Sequence, residues 1–251
     1  MTTLALYSNK GGVGKTAAAV NLAYLAARSG KTTLICDLDP QGAATYYLRV
    51  KPKVKAEARG FAKAGKAIEA SIKGTDYENL DLLPADFTHR NLDIVFDRLK
   101  RPKQRLGEVL KPFEQEYDLI VLDCPPTINL LAENIFNAAD ILLTPLIPTT
   151  LSVRAYEQML SFLKKSSYAP ERVYIFFSMV DRRKKMHRET CVTIQNAFDR
   201  VLRSAIPHLS EVEQMGHFRE PVAAFAPKSS AARAYQDLWS EVQEVVLDRK
   251  E

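Results

Sequence analysis

The sequence is short of cysteine, of long apolar runs and of low-complexity stretches, and each shortage removes a class of protein. Its three cysteines, Cys36, Cys124 and Cys191, lie far apart without metal-ligand spacing, which argues against a zinc site or a disulfide framework. Cys36 sits inside one apolar run and Cys124 follows another, as expected of reduced core thiols in a cytosolic protein. No apolar stretch approaches the roughly 18 to 20 residues that span a bilayer. The opening MTTLALYSNKGG has neither a charged n-region nor a long h-region, so no signal peptide is expected there. Nor is a helix-turn-helix expected ahead of the first strand. With no internal repeat and no linker, the expectation is one domain over 1–251. Charge of one sign is not in large excess: a formal +5 and a pI near 9.0 permit a polyanionic partner without requiring one. Apolar residues are plentiful, 46% of 251, enough for a sizeable core.

Those apolar residues fall into short runs separated by helical patterns. Thr3–Tyr7, Thr33–Cys36 (ending at Asp37), Leu80–Pro84, Leu119–Asp123, Ile141–Pro145 and Val173–Phe177 read as buried strands. Helical spacing runs over Thr16–Ser29, with Gly30 placed to end it, then over Asn91–Leu99, Leu106–Gln115, Ile128–Ala138, Val153–Lys164, Glu189–Ala205 and about Ala231–Val246. Alternation of this kind predicts an α/β fold, a doubly wound, mostly parallel sheet flanked by helices on both faces. Segment 51–79 differs: polar and rich in Lys and Ala, it reads as short surface helices and loops.

Lys10-Gly11-Gly12-Val13-Gly14-Lys15-Thr16 follows the first strand and opens the first helix, the context a phosphate loop needs. Its glycines let backbone N–H groups wrap phosphate oxygens, and the helix N-terminus adds a positive dipole end. Lys15 is expected at the β- and γ-phosphates, Thr16 on Mg²⁺, and Ala17 as the next contact of bound ATP. Lys10 is a second lysine ahead of the usual pattern. Asp37-Leu38-Asp39-Pro40-Gln41-Gly42 follows the second strand, at the sheet edge where parallel α/β folds bind ligands. Asp39 is the candidate for orienting the attacking water and sensing the γ-phosphate near the metal. Asp37 reads either as a strand-end cap or as an outer partner of the metal. Leu119–Leu122 is an apolar strand that delivers Asp123 towards Mg²⁺, and Pro125 and Pro126 stiffen the turn beyond it.

At these residues the chain resembles the ParA family of partition ATPases, in the wider group with MinD and nitrogenase iron protein. KGGVGKT, DLDPQG and YDLIVLDCPP carry the likeness, and LDLLPA, TPLIPT, MVDRR and APKSSAARAY extend it. The resemblance implies that Lys10 reaches the nucleotide of a second copy, so that ATP closes a homodimer. It implies non-specific binding of double-stranded DNA and slow hydrolysis stimulated by a ParB-like or cargo-adaptor protein. It also implies a cytoplasmic, nucleoid-associated life spent positioning a chromosome, plasmid or protein body. Adenine contacts are expected near Met179, Asp181 and Pro207. The family often carries arginines after Ile-Pro; here Ile206-Pro207 is followed by His208-Leu209-Ser210-Glu211-Val212-Glu213. The basic run Arg182-Arg183-Lys184-Lys185 with Arg188, and Arg200 and Arg203 three apart on a following helix, are the candidates for DNA. Lys51, Lys53, Lys55, Arg59, Lys63 and Lys66 form a second basic cluster.

Two rivals are weighed against this. A MinD-like membrane ATPase needs a basic amphipathic tail, and Trp239–Glu251 is acid-rich, so no membrane partner is expected. A redox or metabolic enzyme of the group would need cluster-bridging cysteines or added substrate motifs, and the sequence offers neither.

Overall fold

A computed structural model describes residues 1–51, 66–85 and 90–247. Its centre is an eight-stranded sheet. The strands are β1 (Thr2–Leu6), β2 (Thr33–Asp37), β3 (Lys73–Gly74), β4 (Leu80–Leu83), β5 (Leu119–Asp123), β6 (Ile141–Leu146), β7 (Val173–Val180) and β8 (Val201–Pro207). Their order is β3-β4-β2-β5-β1-β6-β7-β8. Every pairing is parallel except the short β3–β4 pair.

Among the described residues the helices are α1 (Lys15–Arg28), α2 (Ala43–Tyr47), α3 (Lys66–Glu69), α4 (Leu92–Asp97), α5 (Arg105–Leu110), α6 (Leu130–Ala138), α7 (Thr150–Lys165), α8 (Lys185–Ala197), α9 (Ser210–Phe218), α10 (Val222–Phe225) and α11 (Ser230–Glu241). Successive strand residues point to opposite faces, and two cores result. Ala5, Leu34, Cys36, Ile120, Leu122 and Ile175 join Phe96, Leu106, Phe136 and Met159 on one side. Leu4, Leu6, Ile35, Val121, Leu143 and Phe176 join Leu22, Met215, Tyr235 and Trp239 on the other. The central strands are therefore buried along their whole length, and apolar apart from Thr33 and the strand-end Asp37 and Asp123, because both faces are covered. Burying each such Leu, Ile or Phe contributes about 1.5–3 kcal/mol. Helix α1 lies deepest: its small Ala17, Ala18, Ala19, Ala23, Ala26 and Ala27 are all buried. It ends where Gly30 takes φ 91°, the left-handed residue that the glycine signalled.

The expected doubly wound sheet is present, with three corrections. Residues 189–205 are not one helix: α8 stops at Ala197, and Val201–Pro207 is the edge strand β8. Segment 51–79 is not all surface helix and loop. Residues 52–65 lie outside the described ones, but Ile68 and Ser71 are buried, Lys73–Gly74 pairs with β4, and Tyr77 stacks edge-on against Tyr24 with ring centroids 4.8 Å apart. Within the second basic cluster, Lys53, Lys55, Arg59 and Lys63 also lie outside the described residues. The stretch after Pro207 forms the helix α9, which is not among the helical patterns read from the sequence. No helix among the described residues is long and apolar enough to cross a membrane.

Candidate nucleotide site

The parallel strands deliver three loops to one edge. Residues 7–14 leave β1 and enter α1; 38–42 leave β2, and 124–129 leave β5, which lies between β1 and β2. The first loop has the shape of a phosphate cradle. Gly12 and Gly14 hold φ 69° and 90°, conformations that are costly for residues bearing a Cβ. Gly14 has the tighter requirement, because a Cβ there would lie 3.0 Å from Ser178 Oγ. Gly14→Ala is expected to cost about 1–2 kcal/mol for the left-handed backbone alone and to abolish nucleotide-induced stabilisation. Thermal melts with and without Mg·ATP read both effects.

The two lysines are placed differently. Lys15 is 7% exposed, and its Nζ donates to the Lys10 carbonyl at 3.3 Å. Burial pulls its pKa below the ordinary lysine value, and the nearby Asp123, Cys124 and Asp39 act against that. Lys10 points elsewhere: its Nζ donates to Ser152 Oγ in the first turn of α7 at 2.8 Å. Ser152 is not visible as a partner from sequence, because 142 positions separate the two residues.

Asp37 and Asp123 end adjacent strands in register. Both are buried, at 1% and 0% exposure. Asp37 Oδ2 accepts from the Thr45 amide at 2.8 Å and from the Thr45 hydroxyl at 2.7 Å. Burial drives the Asp37 pKa up to about 6 against those hydrogen bonds. Asp123 is worse off, since neither of its oxygens has a hydrogen-bond partner. Burial first, then the charge of Asp37, holds its pKa well above the ordinary carboxylate value, while the Thr16 hydroxyl and Lys15 pull the other way. A buried carboxylate with two unsatisfied oxygens fits the role of a cation ligand. Oxygen donors from Asp123 and Thr16 suit Mg²⁺, whose remaining ligands are ordinarily water and phosphate. Asp39 is half-exposed, and its Oδ1 accepts from the Gln41 amide at 2.9 Å, which shapes the loop ahead of α2.

The candidate base contacts gather on the other side of the cradle. Gly14, Ser178, Met179, Pro207, Leu209, Val212, Glu213 and Tyr235 line a narrow, mostly apolar cavity. Met179 takes φ 53°, an uncommon conformation for a residue with a side chain. Asp181 lies one step outward, on a cleft shared with Pro207 and His208. Its carboxylate is held to about pH 2 by hydrogen bonds from Arg183.

The basic run is partly occupied internally. Arg183 pairs with Asp181, Lys185 with Glu189, and Arg188 donates to the Arg182 and Arg183 carbonyls. Arg200 and Arg203 do not share a helix face, since Arg200 precedes β8 and Arg203 lies in it. Arg200 lines a hollow with Asp199, Asp237, Glu241 and Glu244, poor company for a polyanion. Arg203 lines that hollow too, and also a second concavity that it shares with Arg182, Arg233 and Asp237. Sequence reading missed Arg233, although it lies in the APKSSAARAY segment.

The thiols do not form a cluster site. Burial raises the pKa of Cys36 and Cys124, and Cys191 is half-buried on α8. A cradle of backbone N–H groups, a buried lysine and an unpartnered aspartate at adjacent strand ends mark a P-loop nucleotide-binding protein of the parallel α/β class. The model of the AAA domain family AAA_31 matches residues 1–173. The sporulation initiation inhibitor protein Soj of Bacillus subtilis is 30% identical over 247 residues, covering 95% of this chain and 97% of its own. The chromosome partitioning protein ParA of Caulobacter vibrioides is 29% identical over 259 residues, covering 100% and 97%. A plasmid partition protein of Borrelia burgdorferi, solved bound to AMPPNP, superposes with a TM-score of 0.85 at 20% identity over 98% and 99% of the two chains. This chain belongs to the ParA/Soj family of partitioning ATPases.

Proposed function

We propose that the chain is an ATP-operated positioning switch, one domain in which ATP and Mg²⁺ close a homodimer that holds duplex DNA. The observation that carries this reading is the contrast between the lysines: Lys15 is buried in its own cradle, while Lys10 is held outside it by Ser152. A lysine beside a phosphate loop, yet turned from it, is available to a second copy's nucleotide. Gly11, Gly12, Val13, Gly14, Thr16 and Ala17 wrap the phosphates in this reading. Lys15 neutralises the β- and γ-oxygens, and Asp39 orients the attacking water. Bound through Thr16 and Asp123, Mg²⁺ supplies charge neutralisation of the triphosphate. Met179, Asp181 and Pro207 border the base. Hydrolysis is slow until a ParB-like or cargo-adaptor protein docks, and the dimer then parts and leaves the nucleoid.

The cations proposed for DNA phosphates are Arg182, Lys184, Arg203 and Arg233, with Arg183, Lys185, Arg188 and Arg200 outside that group. Four per protomer make about eight in a dimer, for a slope of log K against log salt of about −7. Anisotropy of an arbitrary labelled duplex is expected to show binding with Mg and a non-hydrolysable ATP analogue but not with ADP. From 50 to 200 mM salt the affinity falls about 10⁴-fold. Equal binding with ADP, or binding indifferent to salt, contradicts the reading.

A further inference from the structure

The loop that carries Asp39 runs straight into α2, a helix of only five residues. A helix that short is not stable by itself and takes its geometry from what grips it. Its start is well held. Gly42, at φ 66°, precedes it, and the Gly42 amide donates to the Asp39 carbonyl at 2.9 Å. Thr45 is fixed to Asp37 and receives the Ala85 amide on its hydroxyl at 2.9 Å. The far end is gripped in an unusual way. Arg49 follows α2 and Arg219 follows α9, and both adopt the left-handed backbone that ends a helix, at φ 58° and 55°. Each arginine then reaches the other helix. Arg219 Nε donates to the Tyr46 carbonyl at 3.0 Å, with its guanidinium 4.4 Å from the centre of the Tyr46 ring. Arg49 Nη2 donates to the Phe218 carbonyl at 3.0 Å and pairs with Glu220. The terminal carbonyls of two helices are thus satisfied reciprocally.

The opposite end of α9 lies at the base cavity, which Leu209, Val212 and Glu213 help to line. Between the two ends, Met215 is fully buried, and its sulfur accepts from Asn21 Nδ2 of α1 at 3.3 Å. One helix therefore runs from the place where a base would sit to the C-terminal end of α2, the short helix that the Asp39 loop enters.

We infer that Arg49 and Arg219 are positioning residues for hydrolysis: the reciprocal latch holds α2, and through it Asp39, in register with the nucleotide that α9 borders. The inference rests on the role given to Asp39 above. Glycine is the informative replacement, because it keeps the left-handed helix end while removing the side chain that reaches across. In the full-length chain, Arg219→Gly is expected to lower kcat for Mg·ATP about tenfold, as misplacement of a reacting group does. The dissociation constant of a fluorescent ATP analogue moves less than about twofold. The double variant Arg49→Gly, Arg219→Gly is no slower than the slower single one, since both break one latch. Arg219→Lys, which keeps a donor for the Tyr46 carbonyl, recovers part of the rate.

Asp39→Ala is measured beside them. If it is inactive while Arg219→Gly turns over at the wild-type rate, the latch is overturned and the Asp39 role stands. If Asp39→Ala hydrolyses normally, the Asp39 role fails and the inference falls with it. Losses in kcat that multiply in the double variant, or a parallel weakening of analogue binding, also overturn the latch and leave these arginines as ordinary structural contacts.

Discussion

Asp123→Asn is expected to make the nucleotide-free protein more stable at pH 8 while removing its response to Mg·ATP. The reason is the pair of carboxylates at the ends of β2 and β5. Both fold into burial, and both have raised pKa values, Asp37 from its ordinary 3.8 to about 6 and Asp123 well above its ordinary value. A raised acid contributes stability that is complete below its unfolded pKa and is lost as pH rises through its folded pKa. The nucleotide-free chain is therefore expected to lose stability from about pH 4 through pH 6 and beyond. Asparagine at 123 keeps the shape, removes one of the two like charges and softens that loss. The Lys15 ammonium loses a partner in exchange, which offsets some of the gain, so a net stabilisation of about 1–3 kcal/mol at pH 8 is the expected size. In the wild type, a ligand at one hundred times its Kd stabilises by about 2.7 kcal/mol. Without the Asp123 charge this gain disappears. Denaturant melts at pH 5 and pH 8, with and without Mg·ATP, measure all four states. A variant less stable than wild type at pH 8 would show that Asp123 is a structural group rather than a cation ligand.

Lys10→Ala is expected to lower single-turnover ATP hydrolysis by about 10³-fold while leaving binding of a single nucleotide nearly intact. A cation delivered across an interface to a transferring phosphoryl group is worth about 10³–10⁵ in rate. The Lys10 ammonium makes its hydrogen bond to Ser152 and none to the cradle, so its loss leaves the glycine loop, Lys15 and Thr16 in place. Lys15→Ala provides the contrast: it removes the buried ammonium beside Asp123, and analogue binding itself is expected to fail. A Lys10→Ala rate within tenfold of wild type would mean that hydrolysis proceeds within one protomer.

The nucleotide edge was legible because backbone chemistry dictates it. Gly12 and Gly14 are needed for positive φ, and strand, loop and helix follow in the only order that presents N–H groups to phosphate. The central strands were legible for a related reason, since burial on both faces leaves them apolar but for a Thr or Asp at their ends. The edge strand β8 was not. Ile194, Phe198, Leu202 and Ile206 recur every four residues, which imitates a helix, and the exposed Arg203 breaks the apolar run that marks an inner strand. Charge on an edge strand is a normal guard against unwanted pairing. Here Glu241 completes the guard by accepting the Arg203 and Ser204 amides at 2.7 Å each. Helix α9 was missed because it buries little apart from Met215. Contacts such as Lys10 with Ser152, or Arg49 with Phe218 across 169 positions, are products of topology, which a linear pattern does not display.

The dimer is the claim on which the functional reading turns, and light scattering on the eluting protein tests it most directly. With Mg and a non-hydrolysable ATP analogue, the wild-type chain is predicted to elute at twice its 28.2 kDa, and Lys10→Ala at 28.2 kDa under the same conditions. A wild type that stays monomeric, or a Lys10→Ala variant that doubles in mass with the analogue bound, would contradict the account.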